Sequence, residues 1–164
     1  MGFIYGSGYF NNQATFGGIT LTNKPLSTSG NNKENFVFKM DSSGNVLWAV
    51  AGGDLSGGCC DDRALGMHVT PGGEVFITGT FWSSYYIDSC SVTQNQWGTA
   101  LNAHDNSLLA KLDTDGNCVW VIGFGADEGA GSGYNCPYPI YDADDHSYDV
   151  KVDKDGFILS LIHI

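Results

Sequence analysis

The chain has 164 residues, 23 of them glycine, and carries 18 acidic against 7 basic side chains for a net charge of −11. Glycine at about twice its usual ~7% share, without a Gly-X-Y period, excludes collagen, and a charged fraction far below the usual ~25% excludes a long solvated helix or coiled coil. Hydrophobic residues at 42% exclude a disordered chain, no run of ~18 apolar residues is present to span a membrane, and so acidic a surface repels phosphate backbones and argues against nucleic acid as a partner.

In chain order, residues 2–10 read as a strand and 11–35 as a long loop. Lys39 and Met40 then lead into the turn Asp41-Ser42-Ser43-Gly44-Asn45. Asp suits the start of a type I turn, and Gly supplies the φ > 0 residue that closes a hairpin. The strand that follows, 46–51, is apolar on both faces, with Val46, Trp48 and Val50 on one and Leu47, Ala49 and Ala51 on the other. A sheet with one buried face alternates apolar with polar residues, so this strand implies a sheet covered on both sides. After a Gly-rich loop at 52–63 come a strand at 64–70, a Pro71-Gly72-Gly73 turn and a strand at 74–81. A long loop spans 82–106, followed by strands at 107–112 and 118–124 joined by Asp113-Thr114-Asp115-Gly116-Asn117. A last long loop, 123–145, precedes a further strand start.

These stretches recur. Residues 2–10 align with 73–81 at an offset of 71, which also carries Phe16, Ile19, Leu21 and Thr22 onto Ile87, Cys90, Val92 and Thr93. Residues 39–48 align with 111–120 at an offset of 72, and Asp61-Asp62-Arg63 aligns with Asp144-Asp145-His146 at an offset of 83. Duplicated order at near-constant spacing is the signature of a repeat architecture. Each unit reads as four short strands, A to D: an all-β fold of β-propeller blades, four-stranded antiparallel meanders in an incomplete ring. The parts are a partial blade at 1–51, a full blade at 61–124 and the start of a third at 144–158. Trp48 and Trp120 hold the same strand position and are expected in blade cores.

The final six residues, Leu159-Ser160-Leu161-Ile162-His163-Ile164, match the translation of CTG TCT CTT ATA CAC ATC, the transposase mosaic-end adapter of sequencing libraries. They are expected to be foreign to the protein, which sets His163 aside as a ligand or base.

The runs 15–22 (Thr-Phe-Gly-Gly-Ile-Thr-Leu-Thr), 35–49 and 73–81 resemble the bacterial β-propeller repeat called SBBP, with its FGG-x-TLTS, FVAKLD-x-xGN-x-LWA and GN-x-Y-x-TG-x-F motifs. The resemblance covers nearly all of 2–158 and is specific to the repeat type rather than to an activity. It implies a bacterial, secreted or cell-surface protein whose other blades lie in a longer chain, of which this sequence, by the adapter reading, is expected to be a metagenomic fragment. The inserts at 82–105 and 123–143, and Cys90 and Cys118, depart from the pattern.

In a meander the A–B and C–D turns lie at one end and the long B–C and D–A connections at the other, so any binding face is expected at the long-loop end. The candidates there are Trp82, Tyr85, Tyr86, Trp97, Tyr134, Tyr138 and Tyr141, beside Asp127, Asp142, Asp144 and Asp145. Aromatic faces next to carboxylates suit a glycan or a cationic peptide; the alternative is small clusters packed under long loops. Asp113-Thr114-Asp115-Gly116-Asn117 resembles part of a calcium loop, but a hairpin turn is needed there, and Asp142-Ala143-Asp144-Asp145 reads as a solvated loop, so no metal site is assigned. Of the five cysteines, Cys60 and Cys136 are a candidate disulfide in an oxidising compartment, with free thiols as the alternative. The chain has no G-x-S-x-G, H-E-x-x-H, P-loop or Rossmann motif, hence no assigned catalytic residue or cofactor.

The leading expectation is a non-catalytic interaction scaffold for a protein or glycan partner, without membrane insertion. Its alternatives are a propeller-fold glycoside hydrolase or lyase with an acidic site on the same face, and a structural spacer. Because open blades expose apolar faces, the chain is expected to self-associate or to unfold over a broad thermal range; a monomer with one sharp transition in sedimentation and calorimetry counts against the propeller reading.

Overall fold

The computed structural model describes residues 2–23, 33–54, 62–81, 84–93, 106–125 and 145–163, with residues 161–163 as backbone only. All regular structure among them is strand: β1 (Phe3–Asn11), β2 (Gln13–Phe16), β3 (Ile19–Thr22), β4 (Lys33–Asp41), β5 (Val46–Gly53), β6 (Arg63–Val69), β7 (Val75–Phe81), β8 (Ser84–Ile87), β9 (Cys90–Thr93), β10 (Asn106–Leu112), β11 (Cys118–Phe124), β12 (His146–Val152) and β13 (Ile158–His163). The fold is all-β, built of several antiparallel sheets. The four strands expected for the middle unit form one sheet in the order β11-β10-β7-β6, an antiparallel meander. The first unit contributes β1-β4-β5, and β12 pairs with β13 as the start of a third. Residues 159–163, expected to be foreign, thus lie within β13, where Leu159 is 73% exposed.

The duplication extends to side-chain geometry. Tyr5 meets Trp48 edge-on at 6.1 Å and 65°, and the equivalent Phe76 meets Trp120 at 6.0 Å and 66°. Lys39 Nζ lies 5.5 Å from the Tyr5 ring, and Lys111 Nζ lies 5.4 Å from that of Phe76. The register shifts between Lys39 and Met40 and, likewise, between Lys111 and Leu112. Both Asp-x-x-Gly-Asn stretches are turns that use up their own acid. Asp41 Oδ1 accepts from the Ser43 and Asn45 amides and Oδ2 from Asn45 Nδ2, and Asp113 repeats all three bonds with Asp115 and Asn117. These bonds, the Asn side chain's first, hold both carboxyls below their ordinary pKa.

Two expectations change. The loops 11–35 and 82–106 each contain a β-hairpin, β2–β3 and β8–β9, at equivalent positions. Double-sided burial falls on β7, buried at every position, and on β10, rather than on the apolar strands β5 and β11. β11 is an edge of its sheet and β5 pairs onward only through its last two residues, so Leu47, Val119 and Ile122 remain about half exposed. One core lies between the first two units, around Val37, Ile77, Phe81, Ile87 and Leu108; a second, Phe76, Leu109 and Val150, lies between the middle sheet and β12. The middle sheet is therefore the covered one.

Trp48 belongs to the first core, at the joint between units. Its Nε1 and Lys39 Nζ both donate to the Thr114 carbonyl, at 3.0 and 2.9 Å, so the middle unit's turn is seated on the first unit. A Cβ on Gly116 (φ +87°) would stand 2.7 Å from the Trp48 ring, whereas Gly44, with the same φ, has open space. Gly44→Ala is expected to cost about 1 kcal/mol, from backbone strain alone, and Gly116→Ala about 3 kcal/mol, from strain plus displacement of Trp48, read from denaturant midpoints.

Candidate functional site

The described residues nearest the expected long-loop face form a buried polar joint where β4, β5 and β8 converge. Glycine makes it possible: a Cβ on Gly52 would meet the Tyr85 hydroxyl and would stand 2.5 Å from Asn35 Oδ1, and one on Gly53 would stand 2.6 Å from Glu34 Cγ. With both side chains absent, β8 comes alongside β5 and pairs as Gly52↔Ile87 and Gly53↔Tyr86. β8 is buried at all four positions. Its hydroxyls then reach back across the joint. Asn35 Nδ2 donates to Tyr85 Oη at 2.6 Å, Tyr86 Oη donates to Glu34 Oε2 at 2.9 Å, and Ser84 Oγ donates to Asp54 Oδ1 at 2.9 Å. The Asp62 amide donates to the Lys33 carbonyl at 3.0 Å, which ties the start of β6 to β4.

Burial dominates the electrostatics of the joint. Burial pushes both phenols above their ordinary pKa, and the Glu34 and Asp62 charges push the same way. Both tyrosines thus stay protonated, Tyr86 as the donor to Glu34 and Tyr85 as the acceptor from Asn35. Glu34 and Asp54, 4% and 7% exposed, act here as acceptors for hydroxyls. Among the described residues no group of three or more His, Cys, Asp or Glu side chains is placed to hold a metal ion.

The sequence candidates distribute as follows. Tyr85 and Tyr86 lie in β8 rather than in a loop, 0% and 7% exposed, so their rings face the joint and offer no stacking surface to a ligand. Asp145, 3% exposed, stands beside Asn106 and Gly125 of the middle unit, as the third unit's counterpart of Asp62. Trp82, Trp97, Tyr134, Tyr138, Tyr141, Asp127, Asp142 and Asp144, with Cys60 and Cys136, lie outside the described residues. No protein-family model matches the chain, and no curated protein matches it.

Sequence reasoning missed Glu34, Asn35 and Ser84, and it did not pair Cys90 with Cys118. Cys90 and Cys118, read only as departures from a pattern, are joined in a disulfide. In the first unit the same positions are Ile19 and Val46, and a Cβ on the neighbouring Gly17 would touch Val46 at 3.4 Å. Simultaneous replacement of both members of an apolar pair by cysteine was the available clue. The bond fastens β9 to β11, and Asp88 reinforces it. Asp88 holds the positive-φ turn position that Gly17 holds in the first hairpin (φ 50° and 58°). Its Oδ2 accepts from the Cys118 amide at 3.1 Å and from Ser89 Oγ at 3.0 Å, and these bonds, the Cys118 amide's first, lower its pKa. The bond closes a span of 28 residues, so Cys90→Ala/Cys118→Ala is expected to lose about 3 kcal/mol by denaturant unfolding. Reductant is expected to give at least the same loss in the parent and a smaller one in the double variant.

Proposed function

We propose that the chain is a non-catalytic interaction scaffold, two successive blades and the start of a third from an SBBP-like β-propeller, with a glycan or peptide bound by the long-loop face. The single observation that carries this reading is the joint in which the hairpin of one unit completes the sheet of the unit before it, Gly52↔Ile87 and Gly53↔Tyr86. Such a contact makes each unit a platform for the next, and stacked units with variable loops at one end suit recognition rather than a single catalytic constellation. The buried carboxylates support the same reading, because Glu34 and Asp54 are engaged by hydroxyl donors rather than facing each other across an open cleft. The Cys90–Cys118 disulfide favours an oxidising compartment, and so secretion or surface display.

The full chain applied to glycan and peptide arrays is the test. Binding that is lost in Trp97→Ala and Tyr138→Ala, with unchanged unfolding midpoints, supports the proposal. No retained glycan or peptide leaves the spacer role, and glycan hydrolysis abolished by Asp127→Asn or Asp142→Asn replaces the scaffold with an enzyme.

A further inference from the structure

The two hairpins of the repeat stand in the same place and are fastened differently. The hairpin β2–β3 lies against β5 in the first unit as β8–β9 lies against β11 in the middle one. At that contact the first unit has Ile19 and Val46, and the middle unit has Cys90 and Cys118, joined by a disulfide. All four residues are half-buried, so the bond does not change how deep the contact sits. The turns match as well, with Gly17 at φ 58° and Asp88 at φ 50°. The first unit therefore holds its hairpin in this geometry without sulfur. The middle hairpin also has holds that owe nothing to the bond. Tyr85 and Ile87 of β8 are fully buried in the core shared by the two units, and Val92 of β9 packs against it. The strand β8 pairs with Gly52 and Gly53 and makes three side-chain hydrogen bonds across the joint. Asp88 Oδ2 accepts from the Cys118 amide at 3.1 Å, which sets the tip of the hairpin beside the start of β11. A cysteine in such a place packs as a small apolar side chain before any bond is made.

We propose that Cys90–Cys118 is a redox-reversible lock that opens and closes on the folded chain: folding brings the two thiols together, and the bond, once made, adds stability without changing the structure. Opening is a two-electron reduction by a dithiol. One thiolate of the dithiol attacks a protein sulfur, which gives a mixed disulfide and releases the other cysteine as a thiolate that takes up a proton. The second thiolate of the dithiol then displaces the remaining cysteine, which is protonated in turn, and the dithiol leaves as its own disulfide. Closing runs through a mixed disulfide of the same kind, with oxidised glutathione as the oxidant and two glutathione thiols as the product. Both cysteines are half-buried rather than sealed in the core, which leaves them open to reagents of this size. The lock bears on the joint between units, because it ties β9 to its own unit while β8 is held in the sheet of the unit before. For a span of 28 residues, closing it raises the folded-to-unfolded ratio about a hundredfold. The first unit, with Ile19 and Val46, has no such control. The proposal is independent of what the long-loop face binds.

Hydrogen exchange and disulfide mapping of the full chain test it. Cys90→Ile/Cys118→Val installs the first unit's pair, and it is expected to keep the near-ultraviolet dichroism of the parent and the exchange protection of β8. The reduced parent is expected to keep both as well, and it decides the matter without any substitution if the bulkier pair does not fit. Oxidised glutathione added to the reduced chain is expected to form Cys90–Cys118 at least about tenfold faster under native conditions than in denaturant, where bonds to Cys59, Cys60 and Cys136 compete. Reduction that strips protection from β8, or oxidation that is no faster and no more selective in the folded chain than in the denatured one, overturns the inference and makes the bond a condition of the fold.

Discussion

The joint between the first two units is the constraint on which the rest of this structure depends. Neither sheet closes a core alone: Val37 and Trp48 of the first unit share one apolar cluster with Val75, Ile77, Phe81, Leu108 and Leu112 of the second. The joint is fastened at both ends. At the tight-turn end one carbonyl, that of Thr114, receives both Trp48 Nε1 and Lys39 Nζ. At the other end β8 adds to the sheet of the preceding unit and three side-chain hydrogen bonds cross from it. Clasps at opposite ends of a sheet fix its orientation as well as its spacing, and apolar contact alone, being non-directional, does not.

Polar groups at the joint set specificity at some cost in solvation. Glu34, Asn35, Asp54, Asp62 and Ser84 are all under a tenth exposed. A buried carboxylate is tolerated only with partners, and a network that must be satisfied admits one register of β8 against β5 and disfavours slippage. The hairpin that supplies this network is itself held from the other side, where Cys90, Asp88 and β11 anchor it to its own unit. It therefore works as a strap, fixed to one unit and inserted into the sheet of its neighbour. In the first unit Ile19, Val46 and Gly17 occupy the same places with apolar contact and no disulfide.

Much of the fold was legible because its local chemistry is strong. The Asp-x-x-Gly-Asn turns were readable from Asp and Gly alone, and each Asp side chain closes the turn with three bonds inside five residues. The four strands of the middle unit followed from their composition and from the turns between them, and they form one sheet in the expected order. The candidate site was less legible. Tyr85 and Tyr86 were read as loop aromatics because a four-residue strand has too few positions to show a period, and their burial depends on a strand some thirty residues away, paired through two glycines. The apolar residues on both faces of β5 misled in the opposite direction, since only the position of a strand within a sheet decides whether its second face is covered.

The sequence by itself determined that the protein is all-β, that it is built of repeats, where its tight turns fall and which residues are equivalent between units. Those properties are set within one turn or one strand, where composition and spacing act directly on the backbone. Only the tertiary structure decided that the B–C hairpin of one unit belongs to the sheet of another, that Cys90 meets Cys118, and that Tyr85, Tyr86 and Ser84 of β8 meet Asn35, Glu34 and Asp54 in buried hydrogen bonds. Each joins residues about thirty to fifty positions apart, and whether such pairs meet is fixed by how sheets stack, which no local pattern encodes.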